Sequence, residues 1–192
     1  MSDLEAIKGK NISAYIEQLG KYRIDIFKEY PYLYEGDLEY ERSYLSRYAQ
    51  SNGSILLICY DQKGIVGACT GIPLKDEEEE FIAPFKNEDL TSIFYIGEIM
   101  VRSDSRGKGL GTALLSKIIE LIALENYQKI CLYTVQREQN HPLKPKNYRS
   151  PDNLWMKFDF KKDLERLVYY HWRELNDERE TIKAMNVWSK QF

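Results

Sequence analysis

Cysteine is scarce in this chain of 192 residues, with three in all, at positions 59, 69 and 131. They are scattered and odd in number, without the close pairs that metal sites or disulfide frameworks use, so they read as reduced core residues. Long hydrophobic runs are missing too. Nothing approaches the roughly 18 consecutive apolar residues of a membrane-spanning helix. The opening MSDLEAIKGK mixes charges where a secretory signal would place an apolar stretch. The expected compartment is therefore the cytoplasm, with no membrane partner. A strong charge of either sign is lacking as well: 27 basic against 30 acidic residues leave a formal net charge of −3. That balance gives no global electrostatic reason to bind nucleic acid, so any anionic ligand has to be held locally. What remains is an ordinary globular composition, 43% hydrophobic and 30% charged, in a length that suits a single domain over residues 1–192.

Hydrophobic periodicity divides the chain. A short strand is expected around Leu4 to Ile7. A helix follows, carrying Ile12, Tyr15, Ile16, Leu19, Ile24 and Phe27, with Ser13 near its start and Pro31 ending it. YPYLYEGD is a tyrosine-rich loop, after which Asp37 caps a second helix through Ala49, where Tyr40, Tyr44 and Tyr48 recur every four residues. ILLICY and IVGACTGIPL flank the polar turn DQKG as a hairpin. KDEEEEFIAPFKNEDLTS is expected to be an exposed acidic connection carrying one helical turn; its run Asp76 to Glu80 reads either as a solvated stretch or as an attractant for a cationic acceptor. IFYIGEIMV is a strand, Leu110 to Asn126 an amphipathic helix built on Leu114, Leu115, Ile118, Leu121 and Ile122, and KICLYTV a strand. QREQNHPLKPKNYRSPDN is a loop, LWMKF a short helix, and LERLVYYHW and TIKAMNVW are two closing strands. The order implies an α/β fold, a central mixed sheet with helices on its faces.

Between the strand and the long helix, VRSDSRGKGLGTALL places Gly107, Gly109 and Gly111 at every second position with Arg106 and Lys108 interleaved. A strand that runs through glycines into a helix brings unpaired N–H groups and the positive end of the helix dipole to one point, which suits a phosphate. The missing Cβ atoms let phosphate oxygens approach the main chain, and the two cations add charge at the rim. Two better-known phosphate loops do not fit. A P-loop needs Gly-Lys-Ser/Thr, whereas Gly111 precedes Thr112 and Ala113; the dinucleotide fingerprint needs a glycine where Thr112 stands and an acid after the next strand, where LYTVQ has none.

The stretch Arg106-Gly107-Lys108-Gly109-Leu110-Gly111 instead resembles the acetyl-CoA loop of the GNAT superfamily of N-acetyltransferases, whose pattern is Gln/Arg-x-x-Gly-x-Gly/Ala. The order of elements is similar over nearly the entire chain. The resemblance implies the GNAT fold, a largely antiparallel sheet flanked by helices, with acetyl-CoA bound and no metal. It implies that the main chain from Arg106 through Thr112 holds the pyrophosphate of coenzyme A and that the pantetheine arm lies along Ile99, Met100 and Val101. The activity implied is direct transfer of an acetyl group to a primary amine in a ternary complex, the acceptor being a small molecule or a peptide; homodimers are frequent in the family. A GNAT-fold module that binds acyl-CoA without efficient turnover is the alternative.

An amine must lose a proton before it attacks a thioester, and a lysine-type amine has a pKa of ~10.4, so a nearby base raises the reactive fraction. Glu98 is the candidate. Alternation along FYIGEIMV puts Phe94, Ile96, Glu98 and Met100 on one face, where a carboxylate is costly unless paired or reached by water. A salt-bridged structural acid is the competing reading. A backbone N–H near Met100 or Val101 is placed to stabilise the tetrahedral oxyanion. In the family, the leaving thiolate usually takes its proton from the tyrosine of a Phe-Tyr-x-x-x-Gly-Phe motif, to which Leu154-Trp155-Met156-Lys157-Phe158-Asp159-Phe160 corresponds. Trp155 replaces that tyrosine and Asp159 the glycine, although Asp tolerates a left-handed backbone better than most residues. Tyr148, just upstream, is the substitute donor, with a plain surface tyrosine as its other reading. Tyr30, Tyr32, Tyr34, Tyr40 and Tyr44 fall where the family shapes its acceptor pocket, and read either as cover for the core or as a cage for an aliphatic amine. His141 reads as a solvated loop residue and His171 as a structural one.

Overall fold

A computed structural model describes residues 4–192. Its sheet has the order β1-β2-β3-β4-β5-β7-β6, where β1 is Glu5–Lys8, β2 Ile55–Asp61, β3 Gly64–Pro73, β4 Ile93–Val101, β5 Lys129–Val135, β6 Lys161–Trp172 and β7 Thr181–Gln191. Neighbours are antiparallel except β4 and β5, which run parallel and are joined through a helical crossover. The helices are α1 (Ile16–Phe27), α2 (Leu38–Gln50), α3 (Glu79–Ile82), α4 (Leu110–Ala123) and α5 (Asp152–Lys157). The mixed, mostly antiparallel sheet between helical layers agrees with the expected fold class.

Two cores explain why β2 and β3 are apolar at nearly every position. On one face Leu56, Ile58, Ala68 and Ile72 pack with Leu19, Leu45 and Tyr48 of α1 and α2; on the other Ile55, Leu57 and Cys69 pack with Leu114, Leu115, Ile118 and Ile122 of α4. Each fully buried aliphatic side chain contributes about 1.5–3 kcal/mol relative to exposure. All three cysteines are buried and unbridged. The Asp37 carboxylate accepts from the Tyr40 amide at 2.8 Å and starts α2, as its place before the tyrosine repeat foretells.

Four expectations need correction. The first helix does not run from Ser13: residues Gly9–Tyr15 wind as a 3₁₀ turn in which the Ser13 hydroxyl donates to the Lys10 carbonyl, and the α-helix begins at Ile16. The acidic connection is not simply exposed. Leu74, Phe81 and Phe85 drive it into the core, and Glu77, 8% exposed, pairs with Arg47 at 2.7 Å. Helix α4 stops at Ala123 rather than Asn126, which takes a left-handed φ of 61°. The closing strands begin at Lys161 and end at Gln191, longer than their apolar runs, because β6 carries an irregularity between Asp163 and Leu167 that hides its alternation.

The register of β4 positions the site. Thr70 of β3 faces Glu98, but the next residue, Gly71, faces Ile96, so Gly97 is an extra residue in β4. The bulge reverses the alternation. Tyr95 and Met100 join the core beneath α1 and α2, while Phe94 and Ile96 face α4. Glu98 therefore shares its face with Met100, as expected, but not with Phe94 and Ile96. A Cβ at Gly97 would collide with the Tyr48 hydroxyl, which explains why a glycine stands there.

Candidate active site

The parallel pairing of β4 and β5 covers only Ile93↔Lys129 through Ile96↔Leu132. Beyond it the strands separate around a cleft of about 1930 Å³. The Arg102 amide donates to Val66 of β3, and alternation turns Met100 the same way, leaving the N–H and C=O of Ile99 and Val101 toward the cleft. The Val101 carbonyl accepts from Arg106 Nε there at 2.8 Å. Of the two amides considered for an oxyanion, Val101 is thus the one that faces the opening.

Gly107 and Gly109 sit at φ 75° and 86°, where side chains are strained, and apart from the adjoining residues no atom lies within 4 Å of the place a Cβ would occupy at either. Gly109 caps α4 without a side-chain bond, and the first turn of the helix holds no acidic residue. Its leading amides, at Leu110, Gly111 and Thr112, have no partner within the helix. Every residue expected to hold the cofactor lines the cleft except Lys108, whose ammonium folds back onto the Asp104 carbonyl at 2.9 Å. Arg106 is paired with Glu29 at 2.5 Å. Lys144, Arg149 and Lys162 also line the wall, and among the described residues none of them has a carboxylate partner.

Glu98 lines the cleft as well, and it is paired. Its carboxylate accepts from the Arg23 guanidinium, from the Tyr44 hydroxyl at 2.8 Å and from the Thr70 hydroxyl. Arg23 also binds Glu41 at 2.5 Å, and all of these side chains are buried, none more than 8% exposed. Three of the roughly four lone-pair sites of Glu98 are filled, and one on Oε2 is open.

Behind Glu98 lies a second, smaller cavity of about 80 Å³. Tyr32, Tyr34, Tyr40 and Tyr44 line it, together with Phe81, Tyr95, Tyr170 and Trp172, and it shares Phe27, Tyr32, Gly97 and Glu98 with the cleft. Burial, and then the nearby Glu41 carboxylate, push the Tyr34 phenol up. Tyr30 is elsewhere. Its ring packs edge-on against Tyr148 in the cleft, centroids 4.7 Å apart, and lies 5.5 Å from His141. Tyr148 is half-buried, and burial followed by the Tyr30 neighbour raises its phenol, so it keeps its proton. His141 Nδ1 accepts from the Leu143 amide at 3.2 Å, a turn contact within its loop. Trp155 packs against the α4 side of the sheet, and Asp159 adopts φ 64°, the left-handed backbone for which the family uses glycine.

Arg23, Glu41, Thr70, Tyr170 and Trp172 were not singled out from the sequence. A signal existed for two of them: Arg23 follows Leu19 and Tyr22 on the buried face of α1, and Glu41 precedes Tyr44, Leu45 and Tyr48 on that of α2. A charge inside an apolar helical stripe demands a buried partner.

Several solved structures share this architecture over the whole length. They include an N-acetyltransferase from Staphylococcus aureus Mu50, 14% identical with a TM-score of 0.62 over 99% of both chains. A ribosomal-protein-alanine N-acetyltransferase from Brucella melitensis is 14% identical with a TM-score of 0.63, over 98% of this chain and 99% of its own. A GNAT acetyltransferase from Streptococcus pneumoniae is 16% identical with a TM-score of 0.57, over 99% of this chain and 100% of its own. Comparison with curated proteins yields no match. The sequence profile of the acetyltransferase (GNAT) family matches residues 21–145, from within α1 through the glycine loop to the loop after β5. The chain belongs to the acetyltransferase (GNAT) family.

Proposed function

We propose that the protein transfers an acetyl group from acetyl-CoA to a primary amine by direct attack in a ternary complex. The opening between β4 and β5, with a free strand edge along one wall and a helix N-terminus at its end, carries this reading. The residues present fit coenzyme A. Ile99 offers its N–H and C=O and Val101 its N–H to an amide-bearing arm as an adjoining strand would, and the open space beside Gly107 and Gly109 meets the leading amides of α4, which suit a diphosphate. Lys144, Arg149 and Lys162 bring positive charge without a carboxylate partner to the same cleft in a chain whose total is −3.

Acetyl-CoA supplies the thioester. Glu98, at the junction of cleft and cavity, holds the incoming amine through its open lone pair and draws off its proton, with Arg23 fixing the carboxylate. Tyr148 donates a hydrogen bond to the departing sulfur, its proton retained by burial. No helix among the described residues is long and apolar enough to cross a membrane.

Acetyl-CoA at about a hundred times its Kd is expected to stabilise the fold by ~2.7 kcal/mol, read as a rise of several degrees in a thermal melt. Thiol release with a panel of amines then separates an enzyme from a module that only binds. The second reading is favoured by Trp155 at the tyrosine position, and binding without thiol release would establish it. Glu98→Gln is expected to lower turnover more than cofactor affinity; equal activity of parent and variant across pH 6 to 9 would remove Glu98 from its role.

A further inference from the structure

The cavity behind Glu98 has a charge pattern as well as aromatic walls. Arg23 is the cation in its lining, and its Nε and Nη1 are already taken by Glu41 and Glu98. One guanidinium between two carboxylates leaves negative charge in excess. At the far wall the hydroxyls of Tyr40 and Tyr170 lie 2.5 Å apart, and Tyr170 donates to Glu78 at 2.9 Å; Glu78 shares one cation, Arg47, with the buried Glu77, so carboxylates outnumber guanidinium groups there as well. Arg23 already covers the Tyr44 ring at 4.2 Å; the remaining ring faces, with carboxylates behind them, attract cations, and a carboxylate entering there meets a guanidinium whose charge Glu41 and Glu98 already balance. The cavity joins the cleft at Gly97 and Glu98, the bulge of β4. An amine at that junction has its carbon chain directed into the rings.

We propose that this aromatic cavity receives the tail of the acceptor, and that the acceptor is a compact alkylamine whose far end is cationic or neutral but never anionic. The proposal rests on the acetyl-transfer reading above and adds the chemistry of the second substrate. About 80 Å³ admits a few heavy atoms, which suits a short unbranched chain and leaves no room for the successive residues of a peptide.

The test uses acceptors of equal length and different tail charge: 1,4-diaminobutane, n-butylamine and 4-aminobutyrate, with an alanine-first tripeptide beside them. The full chain and acetyl-CoA are used throughout, with thiol release as readout. The expected order of kcat/KM is diaminobutane at or above butylamine, with 4-aminobutyrate and the tripeptide at least about tenfold lower than butylamine. Tyr40→Leu is expected to raise KM for diaminobutane by about tenfold, and Tyr40→Phe to keep the parent value because the ring face remains, while the acetyl-CoA melting shift is the same in all three proteins. Thiol release with 4-aminobutyrate or the tripeptide equal to or above that with butylamine overturns the proposal and leaves acetyl transfer standing. So does an unchanged KM in Tyr40→Leu. An absent acetyl-CoA shift, or no thiol release with any acceptor, overturns the acetyl-transfer reading itself.

Discussion

Glu98 illustrates how a single side chain can be conspicuous in a sequence while its surroundings stay hidden. A carboxylate within an apolar strand must find donors, which marks the position. Its partners come from far along the chain, Arg23 from 75 residues away and Tyr44 from 54, so no local pattern announces them. The face it shares was misassigned for a comparable reason: the bulge at Gly97 is a property of pairing with β3, and strict alternation cannot register it. Removing the partner exposes the cost. Arg23→Ala leaves two buried carboxylates facing each other and is expected to lose about 3–5 kcal/mol of stability, measurable by urea denaturation; a loss below about 1 kcal/mol would show the cluster to be solvated. In the glycine loop the sequence was more informative, because the positive φ at Gly107 and Gly109 is a local requirement. Gly109→Val both strains the backbone and fills the space before α4. It is expected to abolish coenzyme A binding in calorimetry, and parent-like affinity would dissociate the loop from phosphate recognition.

Elements were legible where their determinants are neighbours in sequence. Asp37 and the tyrosine repeat define α2, and the spacing of Leu114, Leu115, Ile118 and Ile122 defines α4. The acidic connection was not legible, since its burial depends on Arg47 in α2 and on the core that Phe81 and Phe85 enter. The same connection supplies a clasp. Glu88 pairs with Lys129 at the start of β5 and with Arg166 in the irregular part of β6, the latter at 2.6 Å, bridging two strands that flank β7. Partial burial opposes ionisation of Glu88, yet Lys129 and Arg166 prevail and hold its carboxyl below the ordinary 4.5. A carboxylate lowered in the folded state contributes stability that is present above about pH 4.5 and lost as pH falls through the lowered value. Glu88→Gln is accordingly expected to melt below the parent at neutral pH, with the gap closing on acidification. A gap that stays constant from pH 7 to pH 3 would mean that the pair carries no proton linkage.

At the scale of the whole molecule, the class of fold and the sequence of elements could be inferred from the chain, but the insertion of β7 between β5 and β6 and the early end of the β4–β5 ladder could not. Both are decided by how distant strands meet. The divergence of β4 from β5 gives the protein an unfinished sheet in its interior. An unpaired edge on the outside of a sheet invites another chain to add a strand. Here the bordering β5, the loop bearing Tyr148 and the start of α4 line the same cleft as the edge, so that it lies within the molecule rather than along its outer rim. Deuterium uptake at the amides of Ile99 and Val101 should be fast in the free protein and slow with coenzyme A, against little change at Met100. Under the proposed function, it is the cofactor that completes the ladder β5 leaves unfinished.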